Sequence, residues 1–376
     1  MADSADGYRG NHGQVVNTVS ELGIPKPEEI GAAWMTRALA SAGIGGGTAA
    51  VRQLAFGPIG SGQMGESYRF SLEWNGGGDG QALPATVVGK FASSDPNSRE
   101  AGRMGAYVRE IGFYQDLQAI VGVPTPAPYY VAFDPDTADF IILMSDLSPA
   151  TQGDQLLGCD LLRATGAVEA IAGLHASTWG RADEVANFSW LPRRSLDQVG
   201  VHADRYRALF DGFVAEYSAR LGTEDIELGR WLGDNYELVS TGHTLPTCVV
   251  HNDFRLDNVM FGRAGVSVVD WQTLAIGFGP VDIAYFVGAG VVPAPNDAEE
   301  RSLVGRYGRR LAELGVGVED EELWRSYRLG SASGYIMAVV ASQLVVRTER
   351  GNDMFTAMAS RHAQQMRRLS FTALFG

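Results

Sequence analysis

The stretch His251-Asn252-Asp253-Phe254-Arg255-Leu256-Asp257-Asn258, followed by Val269-Asp270-Trp271-Gln272, constrains the fold more than any other part of the chain. The flanking runs Thr247 to Val250, Val259 to Phe261 and Val266 to Val269 are short, apolar and rich in β-branched residues. They read as strands whose ends hold two acidic loops close together. Phosphoryl transfer needs such a set. One Asp accepts or orients the proton of the acceptor hydroxyl, an Asn five residues later binds a metal ion, and a further Asp beyond the next strand binds the metals that bridge the nucleotide phosphates. Asp253, Asn258 and Asp270 stand in that order and at that spacing. A lone His-x-Asp would be no more than a turn acid capping a strand end. The whole constellation, with its apolar flanks, is far more specific.

The parts that phosphoryl transfer requires besides these lie upstream. Gly60-Ser61-Gly62-Gln63-Met64-Gly65 is followed by the alternating segment Ser67 to Trp74, which reads as a strand, so a hairpin carries the glycines. A dinucleotide-binding fold would instead open a helix at the last glycine. Gly60, Ser61, Gly62 and Gly65 are therefore candidate phosphate contacts through closely approaching backbone N–H groups. The plain alternative is an ordinary glycine-rich turn. Lys90 ends the run Ala85-Thr86-Val87-Val88-Gly89 and is a strand lysine among apolar neighbours. It either protects a sheet edge or contacts phosphate, and its place after the glycine loop favours the second. A partner for it must come from the following helix, expected over Arg99 to Gln118, which offers Glu100 and Glu110.

Together these motifs resemble the aminoglycoside phosphotransferase and choline kinase group, whose members read His-Gly-Asp, then Asn five residues after the Asp, then Asp-Trp or Asp-Phe. The extended form here, with Phe254-Arg255-Leu256-Asp257 and Gly279-Pro280-Val281-Asp282-Ile283-Ala284-Tyr285, most resembles bacterial small-molecule kinases related to ecdysteroid kinases. One departure is visible: Asn252 stands where the family has Gly. The resemblance implies an α+β, bilobal, protein-kinase-like fold, with a mixed-sheet N lobe over 1–147 and a mainly helical C lobe over 148–376. It implies ATP and Mg²⁺ as cofactors, Asp253 as the catalytic residue, and Asn258 and Asp270 as metal ligands. Among the two candidates for the Lys90 partner it favours Glu110, in Arg109-Glu110-Ile111-Gly112-Phe113-Tyr114. It places the lobe hinge at Phe140 to Leu147, where the backbone around Ser145 and Leu147 would bind adenine. The Leu174-His175-Ala176 of the helix Leu161 to Trp179 also recurs in the family. His175 reads as a buried structural histidine, because Asp253 already fills the acid/base role. Asp282 either accepts N–H groups from the catalytic loop or sits as an acid at a helix N-terminus. Asp257 either faces the acceptor or caps its turn.

The implied reaction moves the γ-phosphoryl group to a hydroxyl of a small molecule: an aminoglycoside or macrolide, a choline-like amine, a steroid or lipid alcohol, or a sugar. No long activation segment separates Asp270 from Asp282, which disfavours a protein acceptor. The alternative is a pseudokinase-like protein that binds nucleotide without transfer. A net charge of −14 over 376 residues argues against nucleic acid or an anionic membrane as partner. Cys159 and Cys248 are too few and too far apart for a metal cluster. Residues 1–25 read as a tail without signal-peptide character, and 27–42 as a leading amphipathic helix. The uncharged stretch Leu329 to Val346 is too diluted by Gly, Ser and Gln for a membrane span. A cytoplasmic location is the corresponding expectation. No motif marks the acceptor-selecting residues, which are expected within Ser195 to Thr241 and Val291 to Val346.

Overall fold

Alternation along five strands decides which side chains meet in the first half of the chain. The structure, a computed structural model, describes residues 21–45, 48–60, 64–76, 82–185, 187–193, 196–345 and 347–376. Strands β1 (Ala50–Ile59), β2 (Gly65–Asn75), β3 (Thr86–Ala92), β4 (Pro128–Asp134) and β5 (Asp139–Ser145) form one sheet in the order β1-β2-β3-β5-β4. Every pairing is antiparallel, where a mixed sheet was expected. The reason lies at β5. The chain returns from β3 to begin β4 in the same direction, and β5 fills the place between them, so two antiparallel pairs stand where a parallel one would otherwise form.

Helix α1 (Ala32–Ser41) sets Trp34, Met35, Ala38 and Leu39 against Phe70, Val87, Phe91, Ile141 and Leu143. With a side-chain period of two, Val88 and Lys90 then point to the opposite face. The leading segment is divided: a short 3₁₀ turn at Pro27–Glu29 precedes α1. The chain is tied earlier than a tail over 1–25 would have it. Trp34 Nε1 donates to Leu22 O at 2.8 Å and Tyr130 Oη to Gly23 O at 2.7 Å. Residues 1–20 lie outside the described residues.

The helix expected over Arg99 to Gln118 is broken. Helix α2 (Pro96–Ala101) runs into a π-type turn at Gly102–Ala106, where Gly105 takes φ 122°, before α3 (Tyr107–Gly112) and a second wide turn at Phe113–Leu117. That φ excludes an L side chain without strain, so the kink is written at Gly105. It separates the register of Glu100 from that of Glu110.

The remainder is mainly helical: α4 (Leu161–Thr178), α5 (Ala182–Val185), α6 (Val199–Tyr217), α7 (Thr223–Asp234), α8 (Tyr236–Thr241), α9 (Gly279–Gly290), α10 (Asp297–Glu313), α11 (Asp320–Gly330), α12 (Ala332–Ser342) and α13 (Glu349–Arg368). Set among them are β6 (Thr151–Gln152), β7 (Cys248–Val250), β8 (Val259–Gly262), β9 (Gly265–Val268) and β10 (Ala275–Gly277). β8 and β9 form a hairpin extended by β6, and β7 pairs with β10. α9 is buried along its whole length. Tyr206, Phe210, Phe213, Tyr335, Phe355 and Met358 belong to the main helical core, so Tyr335 is a core residue, while Trp231 packs on its margin. The chain divides into one unit of Met1–Ala119, Pro126–Leu147 and Ala186–Leu191, and a second of Ile120–Thr125, Ser148–Val185 and Pro192–Gly376. Among the described residues no helix is long and apolar enough to cross a membrane.

Candidate active site

In the first unit, the face of β3 that looks away from α1 presents Lys90, paired in register with Ile142 of β5. On that side Tyr107 packs at a tilt against Phe140, with ring centroids 4.8 Å apart. This contact seats α3 so that Glu110 reaches the strand. Lys90 Nζ lies 2.7 Å from Glu110 Oε1, with the side chains 14% and 2% exposed. Glu110, not Glu100, is therefore the partner; Glu100 is exposed on α2. A pair this sheltered holds the ammonium in one place, as a phosphate contact requires.

Of the glycine loop, Gly60 has φ 71° at the end of β1 and Gly65 opens β2. A Cβ on Gly65 would lie 2.9 Å from Phe91 O and 3.4 Å from Lys90 Cε, so this position needs glycine for close approach to the lysine strand. Ser61 and Gly62 lie outside the described residues. At the expected hinge, Ser145 N–H donates to Ala127 O at 2.9 Å and Ser145 Oγ accepts from Ala127 N at 2.9 Å. The amide donor of Ser145 is thus committed to the sheet margin. Asp146 forms a two-point pair with Arg69, at 2.7 and 3.2 Å. Leu147 follows it at the end of the unit's segment.

In the second unit the acidic loop is braced from several sides. Asp282, buried in the first turn of α9, accepts His251 N–H at 2.6 Å and Asn252 N–H at 2.8 Å, and lies 3.1 Å from His175 Nε2. His175 is buried, and its other ring nitrogen meets Tyr307 Oη at 2.8 Å. It serves as a strut behind Asp282. Asn252 has φ 66° and Asp270 φ 68°. Glycine is the usual occupant of that region and Asn the best tolerated substitute, which accounts for Asn in place of the family's glycine. His251 Nε2 donates to Val269 O at 3.1 Å, and Val269 N–H to Asn258 O at 3.0 Å. These bonds tie the Asp253 loop to the strand end that carries Asp270.

The Asp253 carboxylate is directed on both oxygens. Tyr285 Oη donates to Oδ1 at 2.8 Å, while Arg255 Nε and Asn258 Nδ2 donate to Oδ2, each at 3.1 Å. Asn258 Nδ2 also donates to Asp253 O at 2.9 Å. Because the amide nitrogen is turned to Asp253, the planar amide aims its oxygen the other way. Arg255 pairs in addition with Asp257 and meets Met354 Sδ of α13 at 3.2 Å. Burial works against the Arg255 charge, but Asp253 and Asp257 outweigh it and hold the guanidinium above its usual range. Asp257 accepts Gln155 N–H at 3.0 Å, and Gln155 Oε1 accepts Leu256 N–H at 2.9 Å. Asp257 is thus a fastening of the loop. Sequence reading missed Arg255, Tyr285 and Gln155 as loop partners. Tyr285 could have been found from its position three residues after Asp282, on the same helical face; Gln155 carries no signal at all.

Could the residues expected to hold Mg²⁺ do so? No group of three or more His, Cys, Asp or Glu suited to a metal occurs among the described residues. Mg²⁺ does not require one. It takes hard oxygen ligands, commonly one or two from protein, and completes its octahedron with phosphate and water. The Asp270 carboxylate and the amide oxygen of Asn258, on the side of the amide away from Asp253, fit that donor set.

The family model for the phosphotransferase enzyme family matches residues 76–326, more than half of the chain. The chain belongs to this family. No curated protein matches it. Among solved structures it is similar to choline kinase from Cryptosporidium parvum Iowa II, with TM-score 0.54, 10% identity, and coverage of 86% of this chain and 91% of that one. It is similar also to the ethanolamine kinase of Plasmodium vivax, with TM-score 0.52, 13% identity and 84% of each chain covered. A mutant aminoglycoside 2'-phosphotransferase in its GDP complex matches with TM-score 0.50, 13% identity, and 86% and 94% covered. The fold is therefore the α+β, protein-kinase-like one with two lobes.

Proposed function

We propose that this phosphotransferase moves the γ-phosphoryl group of ATP to a hydroxyl of a small molecule. The observation that carries the reading is the Asp253 carboxylate, directed by Tyr285, Arg255 and Asn258 on a loop whose backbone is fastened to Asp282. In the reaction the acceptor oxygen forms a bond to the γ-phosphorus. The bond to the β–γ bridging oxygen breaks, and its electron pair leaves with ADP. Asp253 orients the acceptor hydroxyl and takes its proton, which then passes to solvent. Lys90, fixed by Glu110, holds nucleotide phosphate oxygens, and Gly60, Ser61, Gly62 and Gly65 belong to the loop that covers them. Leu147 belongs to the segment that meets the base. Asn258 and Asp270 would hold Mg²⁺, which would neutralise charge on the phosphates. Positioning and charge neutralisation supply most of the rate. An amino alcohol such as choline or ethanolamine, or an aminoglycoside, is the acceptor class of the similar structures, and these compounds are the first to try. The net charge of −14 is compatible with such cations.

Calorimetric titration with ATP, with and without Mg²⁺, tests the reading on the native protein and on Asp270→Asn. Metal-dependent binding that the substitution weakens by roughly tenfold or more is the expected result. Binding of ATP with no transfer to any acceptor would favour a nucleotide-binding protein instead. A folded native protein that binds neither ATP nor GTP would defeat the reading.

A further inference from the structure

We propose that Tyr285 is a positioning residue for transfer, its hydroxyl fixing the Asp253 carboxylate in the orientation that meets the acceptor. The inference deepens the reading above and rests on it. A carboxylate side chain has two torsions to settle, and each Asp253 oxygen has its own partners. Those on Oδ2, Arg255 and Asn258, belong to the same loop as Asp253 and move with it. Both also have other duties, Arg255 toward Asp257 and Asn258 toward the Asp253 carbonyl. Tyr285, on Oδ1 at 2.8 Å, comes from outside the loop.

Its mounting is rigid. α9 is buried throughout, and Asp282, one turn before Tyr285, accepts the two backbone N–H groups of the loop. One helical face thus holds both the backbone leading into Asp253 and the side chain itself. Behind the Tyr285 ring lies His362, with centroids 5.7 Å apart. His362 is in turn seated against Gly334, where a Cβ would lie 1.9 Å from Nε2. The wall is close-packed, which fixes where the hydroxyl stands. A phenylalanine would fill the same volume without the desolvation that a buried hydroxyl carries, so the space alone does not account for the tyrosine. Burial, reinforced by the Asp253 charge, pushes the phenol well above its usual value, and it remains a donor through neutral pH.

Tyr285→Phe keeps the ring and removes the donor. ADP release from Mg·ATP is measured with water as the acceptor, and again with choline or ethanolamine added. The expected result is a kcat lower by roughly 10- to 100-fold, with the KM for ATP unchanged. The same change made in an Asp253→Asn background should lower turnover no further, since the effect passes through the carboxylate. An unchanged kcat in Tyr285→Phe overturns the proposal. So does an equal fractional loss in both backgrounds, which would mark a merely structural tyrosine. A folded native protein that binds neither ATP nor GTP takes down the kinase reading and this inference together, whereas the first two outcomes remove only this one.

Discussion

The Lys90 region and the Asp253 region are built by opposite means. Lys90 is placed by large elements: strand alternation chooses its face, and a helix packed through Tyr107 and Phe140 brings Glu110 to 2.7 Å. The Asp253 loop has little regular structure of its own and is placed by hydrogen bonds arriving from α9, from the strand end at Val269 and from the segment after β6. The loop meets only some of its own N–H groups, such as those of Arg255 and Asn258, so other elements must supply the rest. The first arrangement can lose one side chain and keep its frame. In the second, the frame consists of the side chains.

That contrast is most directly broken by comparing Asp282→Ala with Glu110→Gln. Removing the Asp282 carboxylate takes an acceptor from the His251 and Asn252 N–H groups and from His175, and a loss of roughly 3–5 kcal/mol is expected. Glu110→Gln retains an acceptor for Lys90, whose side chain keeps some contact with water at 14% exposure, and a loss of about 1–2 kcal/mol is expected. Denaturant unfolding at neutral pH, with unchanged m-values, measures both. Equal losses would mean that the two regions are fastened alike.

The packing behind the Asp253 loop gives a pH-dependent test of the same contrast. Burial lowers the His362 imidazole to about 4 from 6.5, so the folded ring stays neutral where an unfolded one takes up a proton. The stability this group contributes is complete above pH 6.5 and is lost as pH falls toward 4, amounting to roughly 3 kcal/mol over that interval. His362→Gln should flatten this part of the stability curve relative to the native protein. Parallel curves for the two proteins between pH 4 and 6.5 would show that His362 is not held neutral by its packing.

The same difference explains what could be read from the sequence. Strands β2 and β3 fall within a few residues of Ser67 to Trp74 and of the run that ends at Lys90, because alternation and apolar runs are local signals. The mixed sheet was a misreading of order: nothing in Phe140 to Met144 says that this strand inserts between its predecessors. The unbroken helix over Arg99 to Gln118 was a misreading of Gly105, whose tolerance of φ 122° is invisible until the backbone uses it. Within the loop, the motif made Asp253, Asn258 and Asp270 candidates, and Asp282 was legible as an acceptor of the loop N–H groups. Gln155 and Arg361 were not legible. Arg361 of α13 donates to the carbonyls of Gln155, Leu156 and Ala289, and such long-range fastening has no period or spacing to betray it.

The finest test concerns the one family glycine that this chain replaces. Asn252 takes φ 66° while its N–H donates to Asp282. Any residue there must adopt the left-handed region, and the backbone bond is available to all of them except proline. Asn252→Gly relieves the left-handed penalty but gives the unfolded chain more freedom, so the two effects offset to within about 0.5 kcal/mol. Asn252→Val adds a β-branched side chain at positive φ and should lose about 1–2 kcal/mol. Denaturation midpoints of the three proteins rank them. If Gly and Val were equivalent, the loop would be relaxing away from φ 66°, and Asp282 would be holding its N–H groups less firmly than their 2.6 and 2.8 Å bonds imply. If Asn252→Val alone is destabilised, the brace on the Asp253 loop is strong enough to impose a backbone conformation that the side chain opposes.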